Sequence, residues 1–143
     1  MRHVVGVCVA NDVSQRDMQY AYGGQWMKGK NMDRTMPLGP WLATLDSLSD
    51  IYNLTVRCRL NDLQVQQGHT SDMLFKLEAI VAECSRGTTL LPGDIILTGT
   101  PSGVGMSRDP KLFLQDGDTL TTEISELGVL ENRVKAVSIE ADV

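Results

Sequence analysis

The chain has 143 residues, 42% of them hydrophobic, and carries a net charge of −5 with an isoelectric point near 4.9. That length suits a single domain spanning residues 1–143 with a sizeable core, and leaves no room for a second full one. The acidic balance argues against nucleic acid as a partner, because phosphate backbones draw on clustered Lys and Arg, and against an anionic membrane surface.

Val4 to Ala10 is an almost unbroken apolar run, which predicts a strand covered on both faces. Arg2 and His3 precede it and Asn11 and Asp12 end it, so the run is too short to span a bilayer and lacks a small-residue cleavage signature. A soluble cytoplasmic protein is the expectation. Ser14 followed three positions later by Asp17 reads as a helix start, so the chain turns from strand to helix beside Asp12. Asp12, Arg16 and Gln19 then stand at i, i+4 and i+7, and a helix reaching back far enough would point all three in one direction. The plainer alternative is an Asp that favours the helix dipole and an Arg that pairs with it.

Gly23 to Lys30 reads as a flexible stretch and Met36 to Trp41 as a shaped, Gly- and Pro-rich loop. Lys30 lies between them and could turn its ammonium inward against a developing oxyanion, although an exposed surface lysine is the commoner fate. Leu54 to Leu60 alternates apolar and polar residues, the period of a strand with one wet face, and Asn61-Asp62 turns it into Leu63 to Gln66 as a hairpin. His69 tempts a general-base reading, but a lone His in a polar loop is more often solvated, and His3 has no evident partner.

Leu77, Ile80, Val81 and Cys84 recur at helical spacing before Gly87, which predicts a packed amphipathic helix. Pro92-Gly93-Asp94 turns the chain into a strand over Ile95 to Thr98, which runs into Gly99-Thr100-Pro101-Ser102-Gly103-Val104-Gly105. This loop lacks the Gly-Lys-Ser/Thr ending of a phosphate loop and a third spaced glycine, so a nucleotide is not expected. It could offer backbone N–H groups and the hydroxyls of Thr100 and Ser102 to a small carboxylate, or simply be a tight turn. Thr119 to Ile124 and Val129 to Val134 complete the pattern as a second hairpin.

Cys8, Cys58 and Cys84 are odd in number, show no metal-binding spacing and lie in apolar patterns, reading as small buried hydrophobes in a reducing compartment. Met18, Met27 and Met36 read as core filler. The fold expected from these elements is α+β, mostly β, with twisted mixed or antiparallel sheets and two short helices.

Asn11-Asp12-Val13-Ser14 through Gln19, Gly24-Gln25-Trp26, Gly29-Lys30 and Pro37-Leu38-Gly39-Pro40 appear in that order. Thr70-Ser71-Asp72-Met73, Leu91 to Gly105 and Asn132-Arg133-Val134 follow. Together they resemble the fumarylacetoacetate hydrolase superfamily over nearly the whole chain. The resemblance implies a β-rich, usually dimeric fold in which carboxylates hold a divalent ion, Mg2+ or else Mn2+ or Ca2+, that chelates a 2-oxo acid or its enolate. It implies that Asp12 is a metal ligand, that Arg16, Gln19 and Lys30 contact the substrate, with Gln19 and Lys30 catalytic, and that Thr100 binds the substrate carboxylate. The implied reaction is metal-assisted hydrolysis of a C–C bond in a 2,4-dioxo acid. Isomerases, hydratases and oxaloacetate decarboxylases share the resemblance.

One departure stands out. The family's remaining metal carboxylates, a Glu-x-Glu pair, and the His and Glu that activate water in its hydrolases lie upstream of the matching segment, and the chain contains no Glu-x-Glu. It therefore looks like the C-terminal part of such a domain. One carboxylate does not hold Mg2+ unaided. The expected partners are an oxo-acid substrate and either a second copy or another chain supplying the missing ligands, with a non-catalytic remnant or partner subunit as the alternative.

Overall fold

The computed structural model describes residues 1–137. Among these residues six strands carry the fold: β1 (Gly6–Ala10), β2 (Leu38–Thr44), β3 (Thr55–Leu60), β4 (Leu63–His69), β5 (Thr119–Ile124) and β6 (Gly128–Arg133). Three short helices join them, α1 (Arg16–Ala21), α2 (Trp26–Lys30) and α3 (Leu77–Cys84). All the strand pairs are antiparallel, in a ribbon β1-β2 and a four-stranded sheet ordered β4-β3-β5-β6. The fold is thus mostly antiparallel β with a few short helices, as expected, although with three helices among the described residues rather than two.

The four-stranded sheet is built by strict alternation. Val56, Cys58 and Leu60 of β3 face Ile124, Thr122 and Leu120 of β5 in register, and this is the side on which Cys58, Leu60 and Leu120 are buried together against Val13, Val65, Leu112 and Leu114. The intervening Arg57 pairs with Glu123 at 3.5 Å on the wet side, a contact exposed enough to add little stability. A second cluster, Val9, Ala43, Leu54 and Leu127, is where the β1-β2 ribbon packs on the sheet. The predicted hairpins over 54–66 and 119–134 both form. The first runs on to His69, because β4 keeps its ladder with β3 through Thr55.

Several expectations are corrected by tertiary contacts. The stretch before α1 does not extend the helix back to Asp12, and the N-cap is Gln15, without a side-chain cap. The backbone N–H groups of Asn11, Val13 and Gln15 donate to the carbonyls of Pro37, Thr35 and Gly29, which fixes residues 11–15 as extended chain. Ser14 donates its hydroxyl to the Asp12 carbonyl instead of capping. The loop reading of 23–41 fails because Gln25 caps α2 by accepting from the Met27 N–H, and because Leu38 to Thr44 finds β1 as a partner. β1 is shorter than predicted, beginning at Gly6, with Val9 fully buried and Val5, ahead of the strand, 74% exposed.

Ile95 to Thr98 forms no strand, and Ile95 and Leu97 are exposed, because among the described residues no strand pairs with them. Cys84, Met27 and Met36 are exposed rather than buried. No described helix is long and apolar enough to cross a membrane.

The predicted amphipathic helix α3 buries only Leu77 fully. Its start is tied down by Tyr52, whose hydroxyl donates to Glu78 Oε2 at 2.6 Å and accepts from the Leu77 N–H at 3.0 Å. The donated bond is the largest cause holding the Glu78 carboxyl below its usual range. A carboxylate depressed in the fold stabilises above its unfolded pKa, and that contribution fades as pH falls through the folded value. Tyr52→Phe is therefore expected to lower the urea midpoint at neutral pH, with the difference from wild type shrinking under acid conditions. A constant difference across that range in urea titrations would contradict the assignment.

Candidate functional site

Residues 11–15 leave β1 as extended chain, so successive side chains alternate in direction. Asn11 and Val13 turn towards the sheet and Asp12 turns away. Asn11 Nδ2 donates to Thr122 Oγ1 at 2.9 Å and lies 3.8 Å from Cys58 Sγ, while Val13 enters the core cluster beneath. Asp12 is thereby presented outward by two anchored neighbours. Thr122 is buried, so removing its donor leaves a desolvated hydroxyl oxygen with one partner fewer. Asn11→Ala is expected to destabilise the protein by about 1–3 kcal/mol, which is the range for an orphaned buried polar group. Equilibrium urea unfolding measures it, and a loss under a few tenths of a kcal/mol would show that Asn11 anchors nothing.

Asp12 meets Lys30 across the gap between β1 and α2, with Lys30 Nζ 2.6 Å from Asp12 Oδ2. The Lys30 side chain is 20% exposed and that of Asp12 40%, so the pair sits at a wet opening rather than in the core. Alongside it, Arg16 Nη1 donates to Gln19 Oε1 at 2.7 Å within α1. Gln19 is a buried polar residue at 4% exposure. The two helices are clamped by the Gln15 N–H bond to the Gly29 carbonyl and by the close approach of Gly29 to Gln19. Four of the predicted site residues thus form two pairs, Arg16–Gln19 at helical spacing within α1 and Asp12–Lys30 by a tertiary contact between the extended segment and α2.

Thr100 is placed by a different element. Gln66 Nε2, on β4, donates to Thr100 Oγ1 at 2.8 Å and to the Pro101 carbonyl at 2.7 Å. The glycine-rich loop also lies flat on β4 because Gly103, at φ +105°, has the Val65 carbonyl where a Cβ would be; any larger residue there would collide and be strained. Arg108 bonds the Gly103 and Val65 carbonyls from the far side. The loop approaches the helical unit through Tyr20, whose hydroxyl lies 3.3 Å from Met106 Sδ. Ser102 is exposed. His69 is spent locally, with Nδ1 2.7 Å from Ser71 Oγ. Sequence reasoning gave Asn11 and Gln66 no role; their bonds to Thr122 and Thr100 on other elements are visible only in the fold.

The donor chemistry is specific. Gln19 Oε1 is occupied by Arg16, so its amide N–H groups remain to donate, as do further guanidinium N–H groups of Arg16. Thr100 Oγ1 already accepts from Gln66, which leaves its own proton free for a carboxylate. Arg16, Gln19 and Lys30 therefore offer several donors and an ammonium, suited to a small anion, with the Thr100 hydroxyl as a further donor on its own loop. For a divalent ion the described residues by themselves supply a single carboxylate, Asp12. Among the described residues no three His, Cys, Asp or Glu side chains converge, and the one carboxylate present is in contact with an ammonium, whereas Mg2+ demands near-octahedral oxygen coordination.

The family described as fumarylacetoacetate (FAA) hydrolase C-terminal matches residues 1–135. The oxaloacetate tautomerase Fahd2a, mitochondrial, of Rattus norvegicus is 51% identical over 134 residues, covering 94% of this chain but 43% of the rat protein. Among solved structures, a fumarylacetoacetate hydrolase from Exiguobacterium antarcticum superposes with a TM-score of 0.90 at 42% identity, over 95% of this chain and 48% of that one. Maleylpyruvate hydrolase from Sphingobium sp. SYK-6, solved with manganese(II) and pyruvate, gives 0.69 at 34% identity, over 79% of this chain and 40% of that one. The chain therefore spans less than half the length of the curated relative and about half or less of these solved ones.

Proposed function

The chain belongs to the fumarylacetoacetate hydrolase family, and from that membership we propose that it carries the oxo-acid-binding part of an enzyme that interconverts the enol and keto forms of oxaloacetate. The observation that carries this reading is the Asp12–Lys30 pair beside Arg16 and Gln19, in a chain half identical to an oxaloacetate tautomerase. The hydrolysis expected from the sequence becomes the second reading, favoured by the weaker likeness to maleylpyruvate hydrolase.

Tautomerisation moves one proton from the C2 hydroxyl to C3 and breaks no C–C bond. Both directions pass through an enolate whose charge rests on the C2 oxygen. Lys30 neutralises that oxygen, since an ammonium aimed at a developing oxyanion acts most strongly there. Arg16 and the free amide protons of Gln19 hold the carboxylate next to C2, and Thr100 donates to the distal carboxylate. Asp12 keeps Lys30 in place. A relative is solved with manganese(II) and pyruvate; were such an ion to bind here, Asp12 would be its one oxygen ligand among the described residues, and the ion would supply Lewis-acid stabilisation of the same oxygen.

Exposed apolar side chains on β2 and beyond, Trp41 at 55%, Leu42 at 58% and Ile95 at 56%, support association with a second copy or another chain. The cytoplasmic location expected from the sequence stands against a rat relative whose name places that protein in mitochondria, and cell fractionation separates the two.

The deciding experiment follows the ultraviolet absorbance of freshly dissolved enol-oxaloacetate with the protein and Mg2+ present, beside an acylpyruvate assayed for cleavage. Faster enol loss without acylpyruvate cleavage is the expected result. Cleavage without tautomerisation would establish the hydrolytic reading, and neither activity would favour a non-catalytic subunit.

A further inference from the structure

We propose that Trp26 is a positioning residue for Lys30, holding its ammonium over the site by a cation–π contact; this rests on the role given to Lys30 above. Trp26 and Lys30 stand at i and i+4 on α2, and Lys30 Nζ lies 5.6 Å from the Trp26 ring centroid, inside the roughly 6 Å over which such attraction acts. The same ammonium is 2.6 Å from Asp12. Lys30 is thus held between a carboxylate and an indole face rather than by the carboxylate alone.

The distinction matters for a flexible side chain. Lysine has several rotatable bonds and a strongly hydrated point charge, and at a wet opening one ion pair fixes it weakly. A second contact from the ring restricts where the charge can go. Trp26 itself is 67% exposed, so packing among the described residues does not fix it, and the Lys30 ammonium is the group its ring faces. The backbone supports the arrangement, because Gln25 caps α2 and Gly29 seats it on Gln19, leaving the ring and the ammonium on one side.

Two substitutions separate an electrostatic role from a merely apolar one. Trp26→Phe keeps a quadrupole, whereas Trp26→Leu keeps apolar bulk without one. In the oxaloacetate tautomerase assay, Trp26→Leu is expected to lower kcat about 5-fold with KM changed less than about twofold, and Trp26→Phe to recover most of that loss, in line with the modest strength of cation–π contacts at exposed sites. The spectroscopic signature is independent of activity: the Lys30 CεH2 protons should be shifted upfield by the indole ring in the wild type and return to ordinary positions in Trp26→Leu. Equal kcat in the Leu and Phe variants, or unshifted Lys30 protons in the wild type, overturns the proposal. A wild-type protein that shows the upfield shift but no tautomerase activity upholds the contact and overturns the oxaloacetate reading instead.

Discussion

Asp12→Asn is expected to lower the rate of oxaloacetate tautomerisation by about 10²–10³, the usual cost of disabling one preorganised electrostatic element of an active site. Asparagine keeps the shape and one oxygen but loses the charge that draws Lys30 Nζ to 2.6 Å. The pair lies at the surface of a wet opening, so its direct value to folding is small, and the urea midpoint should move little. A large kinetic effect beside a small stability effect is what identifies a functional ion pair. The same variant addresses the metal: if Asp12 is an oxygen ligand, Mn2+ binding measured calorimetrically in the presence of oxalate weakens in Asp12→Asn. Unchanged kinetics together with unchanged Mn2+ binding would remove Asp12 from the site altogether.

Gly29→Ala sets two effects of opposite sign against each other. Within a helix, replacing glycine by alanine normally stabilises by about 1 kcal/mol, because the backbone has less freedom to lose. Here a Cβ would stand 2.8 Å from Gln19 Cβ and 3.0 Å from the Gln15 carbonyl oxygen, and neither of those atoms is the far end of a flexible chain. Relieving the clash means parting α1 from α2, which strains the Gln15 N–H bond to Gly29, 2.8 Å long in the structure. Overpacking of this kind costs about 1–3 kcal/mol, so it outweighs the propensity gain and the net result is destabilising. The activity loss should exceed the stability loss, because the same displacement carries Lys30 away from Asp12 and away from the Arg16–Gln19 pair on α1. Thermal unfolding and the enol assay together test this, and a more stable, fully active Gly29→Ala would show that the two helices are not in close contact.

What could be read from the chain follows the range of the forces involved. The hairpin of β3 and β4 was legible because alternation and the Asn61-Asp62 turn are local, and the same holds for β5 and β6. The Asp12, Arg16, Gln19 and Lys30 motifs were legible as residue types in order. Their geometry was not. The helical spacing that suggested one converging face is replaced by two pairs, since residues 11–15 give their N–H groups to Gly29, Thr35 and Pro37, partners that no local pattern announces. For the same reason β2 and α2 were read as loop, their partners being β1 and α1, and Ile95 to Thr98 was read as a strand, although strand propensity without a neighbouring ladder makes no sheet.

The amino-acid order by itself determined the mostly β character, the two hairpins and the family, because alternation, turn chemistry and motif succession are written along one dimension. Only the tertiary structure decided that Asp12 turns outward onto Lys30 while Asn11 is pinned to Thr122, that Gln66 fixes the hydroxyl of Thr100, and that the described residues assemble one carboxylate rather than a metal cage. Those outcomes depend on hydrogen bonds and ion pairs between segments far apart in sequence, whose energies exist only once the chain has brought them together.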